Sequence, residues 1–206
     1  MLTLYYAPGT CALAVHIALE EAGATYDLRR VDFASGEQRS ASYQSVNPKG
    51  RVPVLVTDRG HLTETPAILA WVAQAYPESR LAPTEDPFDF ARVQSFNSYL
   101  CSTVHVAHAH RVRGSRWADD PAAIEAMQKK VPESVGACCE MIEAHMLEGP
   151  FVFGAAYTIS DPYLFTISRW LDADGVAIDR FPKLAAHFRA VSERAAVKMA
   201  LEAEAL

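Results

Sequence analysis

Leu2-Thr3-Leu4-Tyr5-Tyr6-Ala7-Pro8-Gly9-Thr10-Cys11-Ala12-Leu13 joins a short apolar run to a Pro-Gly turn and then to an apolar helical pattern. That order places the Cys11 thiol at a helix start. First-turn N–H groups without intrahelical partners, together with the positive end of the helix dipole, favour a thiolate there over a thiol. Such a cysteine falls from a pKa of about 8.5 toward neutrality, fit to act as a nucleophile or as a hydrogen-bond partner for another thiol. The competing reading is a small buried hydrophobe, since free cysteine is among the most buried residue types.

Up to residue 80, short apolar strands alternate with helical stretches. Strands are expected at residues 3–6, 26–31 and 53–57, with another at 61–63 after the tight Asp58-Arg59-Gly60 turn. Helical patterns cover residues 11–22, stopped by Gly23, and 64–76, stopped by Pro77. The order is βαβ, an irregular segment and ββα, and because the last two strands form a hairpin the sheet must be mixed. Leu81-Ala82-Pro83-Thr84-Glu85-Asp86-Pro87 has the proline and acid content of a linker. Beyond it, apolar residues recur at helical spacing in 88–112, 122–147, 159–171, 184–191 and 197–201, about five helices. The expected organisation is one domain at 1–80, a linker at 81–87 and an all-helical domain at 88–206.

A chain of 206 residues, 50% of them hydrophobic, can bury a sizeable core. The net charge of −6 argues against nucleic acid as a partner, because phosphate recognition needs a basic surface. No apolar run approaches a membrane span and no signal-peptide pattern opens the chain, so no membrane partner is expected and the expected location is cytoplasmic. Cys11, Cys101, Cys138 and Cys139 contain no C-x-x-C pair, so reduced thiols are expected rather than a disulfide framework or a zinc ribbon.

Several motifs carry chemistry. In Asn47-Pro48-Lys49-Gly50-Arg51-Val52-Pro53-Val54-Leu55, Pro53 is either a simple loop-to-strand proline or a cis proline that turns the Val52 backbone outward to pair with a peptide-like ligand. Glu64-Thr65-Pro66-Ala67-Ile68 opens a helix whose first turn either is capped by Thr65 or receives a ligand carboxylate while Glu64 binds an ammonium. Thr158 as N-cap with Asp161 three residues on makes a reciprocal capping pair, a folding role. Pro162 then sits at the fourth helical position, deleting an intrahelical N–H at modest local cost. Cys101, His105 and His108 stand at i, i+4 and i+7, a possible metal-ligand face that lacks a fourth ligand, and no metal is expected. His110, Arg111, Arg113 and Arg116 form a basic cluster that either caps a helix end or attracts an anionic substrate.

Tyr5 through Cys11 with His16-Ile17-Ala18-Leu19, Val46-Asn47-Pro48-Lys49-Gly50 with Val52-Pro53, Leu62-Thr63-Glu64 with Ala67-Ile68, and, in the helical half, residues 157–165 with Arg169-Trp170 resemble the cytosolic glutathione transferases in order and spacing. Their combination is similar to the bacterial beta class, over essentially the whole chain. The resemblance implies a thioredoxin-like N-terminal domain of order βαβ-α-ββα and an all-α C-terminal domain that contributes the electrophile pocket. It also implies a cis Pro53, a two-fold homodimer, glutathione as co-substrate and a role in detoxification.

Carried onto this chain, the resemblance sets Cys11 beside the glutathione sulfur, the Val52 backbone against the cysteinyl unit, and Glu64 and Thr65 around the γ-glutamyl end. His105 matches the histidine that beta-class members place near the thiol, to tune Cys11 or to bind glutathione directly. Thr65 stands where serine is common. The loop after the second strand, Ala34-Ser35-Gly36-Glu37-Gln38-Arg39, lacks the lysine the family often has there. The implied activity is glutathione binding with activation of its thiolate for attack on a hydrophobic electrophile, whose pocket is expected to include Phe96, Tyr99 and Trp117. The alternative enzyme is a glutathione-dependent monothiol disulfide reductase with Cys11 as nucleophile. A non-catalytic binding or regulatory protein on the same fold is the alternative of a different class. Ala14 stands where a dithiol oxidoreductase has its second cysteine, which excludes an internal disulfide of that kind. A maleylacetoacetate isomerase is expected to show Ser-Ser-Cys where this chain has Gly9-Thr10-Cys11.

Overall fold

The computed structural model describes all 206 residues. β1 (Leu2–Tyr6), α1 (Ala12–Glu21) and β2 (Tyr26–Arg30) form the opening βαβ unit, with the strands parallel and Leu4 opposite Leu28. After a single 3₁₀ turn at Glu37–Arg39 comes α2 (Ala41–Gln44), where Ser40 caps the helix by accepting the Tyr43 N–H at 3.2 Å. β3 (Val54–Thr57) is antiparallel to both β1 and β4 (Gly60–Thr63), and α3 (Thr65–Ala75) closes the layer. The sheet order is β2-β1-β3-β4, mixed as the hairpin requires.

Residues 12–19 of α1, all apolar but His16, are buried on every side, so it is an internal helix and not a surface one. It packs on β1 and α3 and also on the helical half. Gly23 ends it at φ 62°, a left-handed conformation that lets the Ala24 N–H reach back to the Leu19 carbonyl at 3.0 Å.

The helical half begins at α4 (Pro87–Tyr99), N-capped by Asp86. A π turn at Leu100–Val104 separates it from α5 (His105–Arg113), so the expected helix over 88–112 is one rod with an inserted wide turn. α6 (Pro121–His145), α7 (Ser160–Ser168), α8 (Pro182–Ser192) and α9 (Ala195–Glu204) follow. One continuous core runs from Leu4 and Leu55 through Leu69 to Val93, Tyr163 and Leu184, so sheet layer and helices share their burial. No helix is long and apolar enough to cross a membrane.

The expected capping pair forms at the start of α7: Asp161 accepts the Thr158 N–H at 2.6 Å, and the Thr158 hydroxyl accepts the Ser160 N–H at 3.3 Å. Ile159, already in helical conformation, makes no cap bond of its own. The Thr158 carbonyl, which Pro162 cannot reach with an N–H, accepts the Asp161 N–H at 3.0 Å instead.

Candidate active site

The Cys11 turn is held from a distance. Trp170 Nε1 donates to the Gly9 carbonyl at 2.9 Å, and the Gly9 N–H donates to Glu204 Oε2 at 3.3 Å. Glu204, near the end of α9, is itself buried against His16 Nδ1 at 3.0 Å. Inside the turn, the Thr10 hydroxyl accepts from the Ala12 N–H at 3.3 Å and the Thr10 carbonyl from the Leu13 N–H at 3.1 Å. These are the first-turn donors that were expected to stabilise a thiolate. With them engaged, burial pushes the Cys11 thiol up from its ordinary value, and a hydrogen bond with Thr65 and the field of Arg113 oppose the rise without reversing it. The expected fall toward neutrality is thus corrected: Cys11 keeps its proton in the ligand-free cleft.

The facing loop is equally fixed. Asn47 Nδ2 and the Tyr43 hydroxyl both donate to the Arg51 carbonyl at 2.7 Å, and Asn47 Oδ1 accepts the Lys49 N–H at 3.1 Å. Gly50 has φ 61°, and a Cβ there would lie 2.9 Å from the Gln38 carbonyl, so glycine is required. The loop delivers a cis Val52–Pro53 bond at the mouth of β3. The Val52 carbonyl lies 3.7 Å from Cys11 Sγ, and the Val52 N–H makes no hydrogen bond within the chain. Beside it, Glu64 occupies φ 73°, ψ 120° at the start of α3, a conformation rare for a residue with a side chain. Its carboxylate meets Lys49, which also donates to the Thr63 hydroxyl at 2.7 Å.

Across the cleft stands the π turn and α5. His105 lies 5.0 Å from the Trp170 ring, centroid to centroid, and His108 stacks on the same indole at 4.4 Å. Burial, then the neighbouring His108 and the arginines Arg113, Arg116 and Arg51, bring the His105 pKa down to about 4. It is a neutral imidazole near pH 7. The basic cluster read from the sequence splits in two: Arg111 and His108 engage Asp174 at 3.0 and 2.7 Å, while Arg113 and Arg116 make neither ion pair nor hydrogen bond. His110 packs against Trp117 at 4.4 Å.

These elements enclose one cavity of about 980 Å³ that brings together Cys11, Val52, Pro53, Glu64, Thr65 and His105. Thr158 and Asp161 lie apart from it, fully buried. Of the expected pocket residues only Trp117 lines the cavity: Phe96 packs edge-on to Phe153 in the core, and Tyr99 turns toward Cys138. Val106 and Val112 stand in their place. Cys101 and His108 also reach the cavity, but no set of three metal-ligating side chains is close enough to hold an ion. Reading the sequence passed over Glu204 and Asp174, whose partners His16 and His108 are 188 and 66 residues away. No local pattern marks such pairs.

Residues 1–74 match the glutathione S-transferase N-terminal domain family and residues 121–190 its C-terminal domain family. Glutathione S-transferase GstA of Escherichia coli O157:H7 is 31% identical over 206 residues, covering 98% of each chain. The chain belongs to the glutathione S-transferase family. Among solved members, a glutathione transferase homologue from Sulfitobacter with bound glutathione is 45% identical and superposes with a TM-score of 0.97 over 100% of this chain and 99% of its own. A bacterial beta-class glutathione S-transferase from Sphingomonas chungbukensis is 31% identical, with a TM-score of 0.85 over 98% of both chains. Within a glutathione S-transferase fold, the Cys11–Val52–Thr65 face and the His105–Trp170 face are the two walls of a single cleft.

Proposed function

We propose that this glutathione transferase binds glutathione in the cleft between Cys11 and His105 and directs its sulfur at a hydrophobic electrophile. The observation that carries the reading is the Val52 backbone: an unpaired N–H beside a carbonyl that touches the Cys11 thiol. A cysteinyl residue laid along Val52 as a short antiparallel strand satisfies that N–H and sets its sulfur against Cys11. The γ-glutamyl carboxylate then meets the first turn of α3 and the Thr65 hydroxyl, and its ammonium meets Glu64. The glycyl carboxylate falls to Arg39, Lys49 and Arg51, which line the same end of the cavity where the family lysine is absent.

Cys11 retains its proton, so it acts as a hydrogen-bond donor to the glutathione thiolate, and His105, uncharged, orients the bound tripeptide. The glutathione sulfur attacks the electrophilic carbon, the leaving group departs with its electron pair, and the thiol proton is lost to solvent. This favours conjugation over the disulfide-reductase alternative, which needs Cys11 itself as the thiolate. Beta-class membership, a two-fold homodimer and a cytoplasmic, detoxifying role complete the reading. The class assignment is supported by Cys11, by His105 and by the likeness to the Sphingomonas enzyme; the other three rest on the resemblance to the family.

Product analysis with 1-chloro-2,4-dinitrobenzene and with a glutathione mixed disulfide tests it. Wild type and Cys11→Ser are expected to form the dinitrophenyl conjugate at rates within about tenfold of each other, since serine keeps a donor, and Cys11→Ala to be slower than both. A conjugation rate that vanishes in Cys11→Ser while wild type accumulates a covalent Cys11–glutathione disulfide would establish the reductase instead.

A further inference from the structure

The cleft holds more positive charge than glutathione can use. Its walls carry one carboxylate, Glu64, against the basic side chains Arg39, Lys49, Arg51, Arg111, Arg113 and Arg116, in a protein of net charge −6. Lys49 is matched by Glu64, and Arg111 by Asp174. Bound as proposed above, glutathione brings two carboxylates and one ammonium, plus the charge of its thiolate. Its glycyl carboxylate lies at the Arg39–Arg51 end, on the N-terminal layer. Arg113 and Arg116 are on the other wall, at the end of α5 and in the turn that follows it, and no acidic group faces them.

They lie in the same cavity as Cys11 and His105, with Arg116 also close to Arg51 on the facing wall. Arg113 acts on both the Cys11 thiol and His105, and Arg116 is pushed below its ordinary value by burial and by the nearby Arg113 and Arg51. Like charges held together without counter-ions disfavour the ligand-free state, a cost that an anion relieves on binding. Beside them Val106, Val112 and Trp117 present apolar surface to the same space, each more than a third exposed.

We infer that the electrophile taken by this cleft bears a carboxylate or similar anionic group, held by Arg113 and Arg116, next to an apolar part seated against Val106, Val112 and Trp117. The inference rests on glutathione occupying the N-terminal wall as proposed. Arg113 and Arg116 are on this account specificity residues: they bind the non-reacting end of the second substrate and fix which face of it meets the sulfur.

Calorimetric titration of the full chain with S-benzylglutathione and S-(4-carboxybenzyl)glutathione tests it. Wild type is expected to bind the carboxylated conjugate about tenfold more tightly, the order of one charge pair in a partly solvated site. In the double variant Arg113→Gln, Arg116→Gln, the carboxylated conjugate is expected to weaken at least about fivefold more than the uncharged one. Neither side chain makes an ion pair or hydrogen bond that the substitution would break. Equal affinity of wild type for the two conjugates, or equal weakening of both in the variant, overturns the inference. Titration with glutathione alone separates the two failures: wild type that binds glutathione but does not discriminate between the conjugates loses only this inference. Wild type that binds no glutathione loses the site reading and the inference with it.

Discussion

Two polar clusters in this molecule are built to opposite ends. At the start of α7 the Asp161 carboxylate is sealed from solvent and fully engaged, accepting from the Val152 N–H at 2.8 Å, the Thr158 N–H at 2.6 Å and the Thr158 hydroxyl at 3.1 Å, with His187 Nε2 at 3.0 Å. Along the cleft, Arg113, Arg116 and the Val52 N–H have no partner in the chain at all. The first cluster ties a helix start to the hairpin-like turn at Phe151–Gly154 and to α8; the second leaves hydrogen-bonding capacity for something that is not part of the chain. Both contain charged groups, but the Asp161 carboxylate is fully paired within the chain while Arg113 and Arg116 are not.

The contrast is broken most forcefully at Asp161. Asp161→Ala leaves His187 buried without its partner and two N–H groups without acceptors, and is expected to cost about 3–5 kcal/mol in urea unfolding. A loss under about 1 kcal/mol would show the cluster to be ornamental.

His105 provides a pH test. Its folded pKa, about 4, lies below the ordinary histidine value, so between those two values the unfolded chain binds more protons than the folded one. This contribution to stability is complete above about pH 6.5, declines as pH falls toward about 4, and amounts to no more than about 3.5 kcal/mol. His105→Gln is expected to flatten that part of the acid limb in stability measured against pH, and an unchanged slope would place the imidazole in a more polar setting than the cleft provides.

Glu64 holds backbone strain at the edge of the cavity. Glu64→Gly is expected to raise stability by about 1 kcal/mol by relieving the positive φ while weakening glutathione at least about tenfold. A variant that gains stability and keeps its affinity would remove Glu64 from the site. The smallest effect is expected at Arg113 and Arg116, where substitution by glutamine should move the unfolding free energy by no more than about 0.5 kcal/mol.

Much of this architecture is legible in the chain. Strand positions follow from short apolar runs closed by Gly and Pro, and the mixed sheet from the Asp58-Arg59-Gly60 hairpin; each strand boundary lies within a residue of expectation, while the ends of α7 and α9 differ by three. That Cys11, Val52, Glu64 and Thr65 line one cavity wall is consistent with the same logic, since each sits beside a turn or helix start. What local pattern does not carry is equally specific. The π turn at Leu100–Val104 has no signature beyond ordinary helical spacing, and it sends Tyr99 to Cys138 while bringing Cys101 to the cavity. The direction of the Cys11 shift is set by burial, which outweighs the Thr65 hydrogen bond and the field of Arg113, all properties of the folded chain. The division of the 110–116 cluster depends on Asp174, some sixty residues downstream.

Calorimetric titration of the wild-type chain with glutathione and, in parallel, with cysteinylglycine, which lacks the γ-glutamyl unit, tests the proposed site most directly. Glutathione is expected to bind in the micromolar to millimolar range and cysteinylglycine at least about tenfold more weakly, because the α3 first turn and Glu64 lose their ligand. Equal affinity for the two, or no heat from glutathione at millimolar concentrations, would contradict the placement of the tripeptide along Val52.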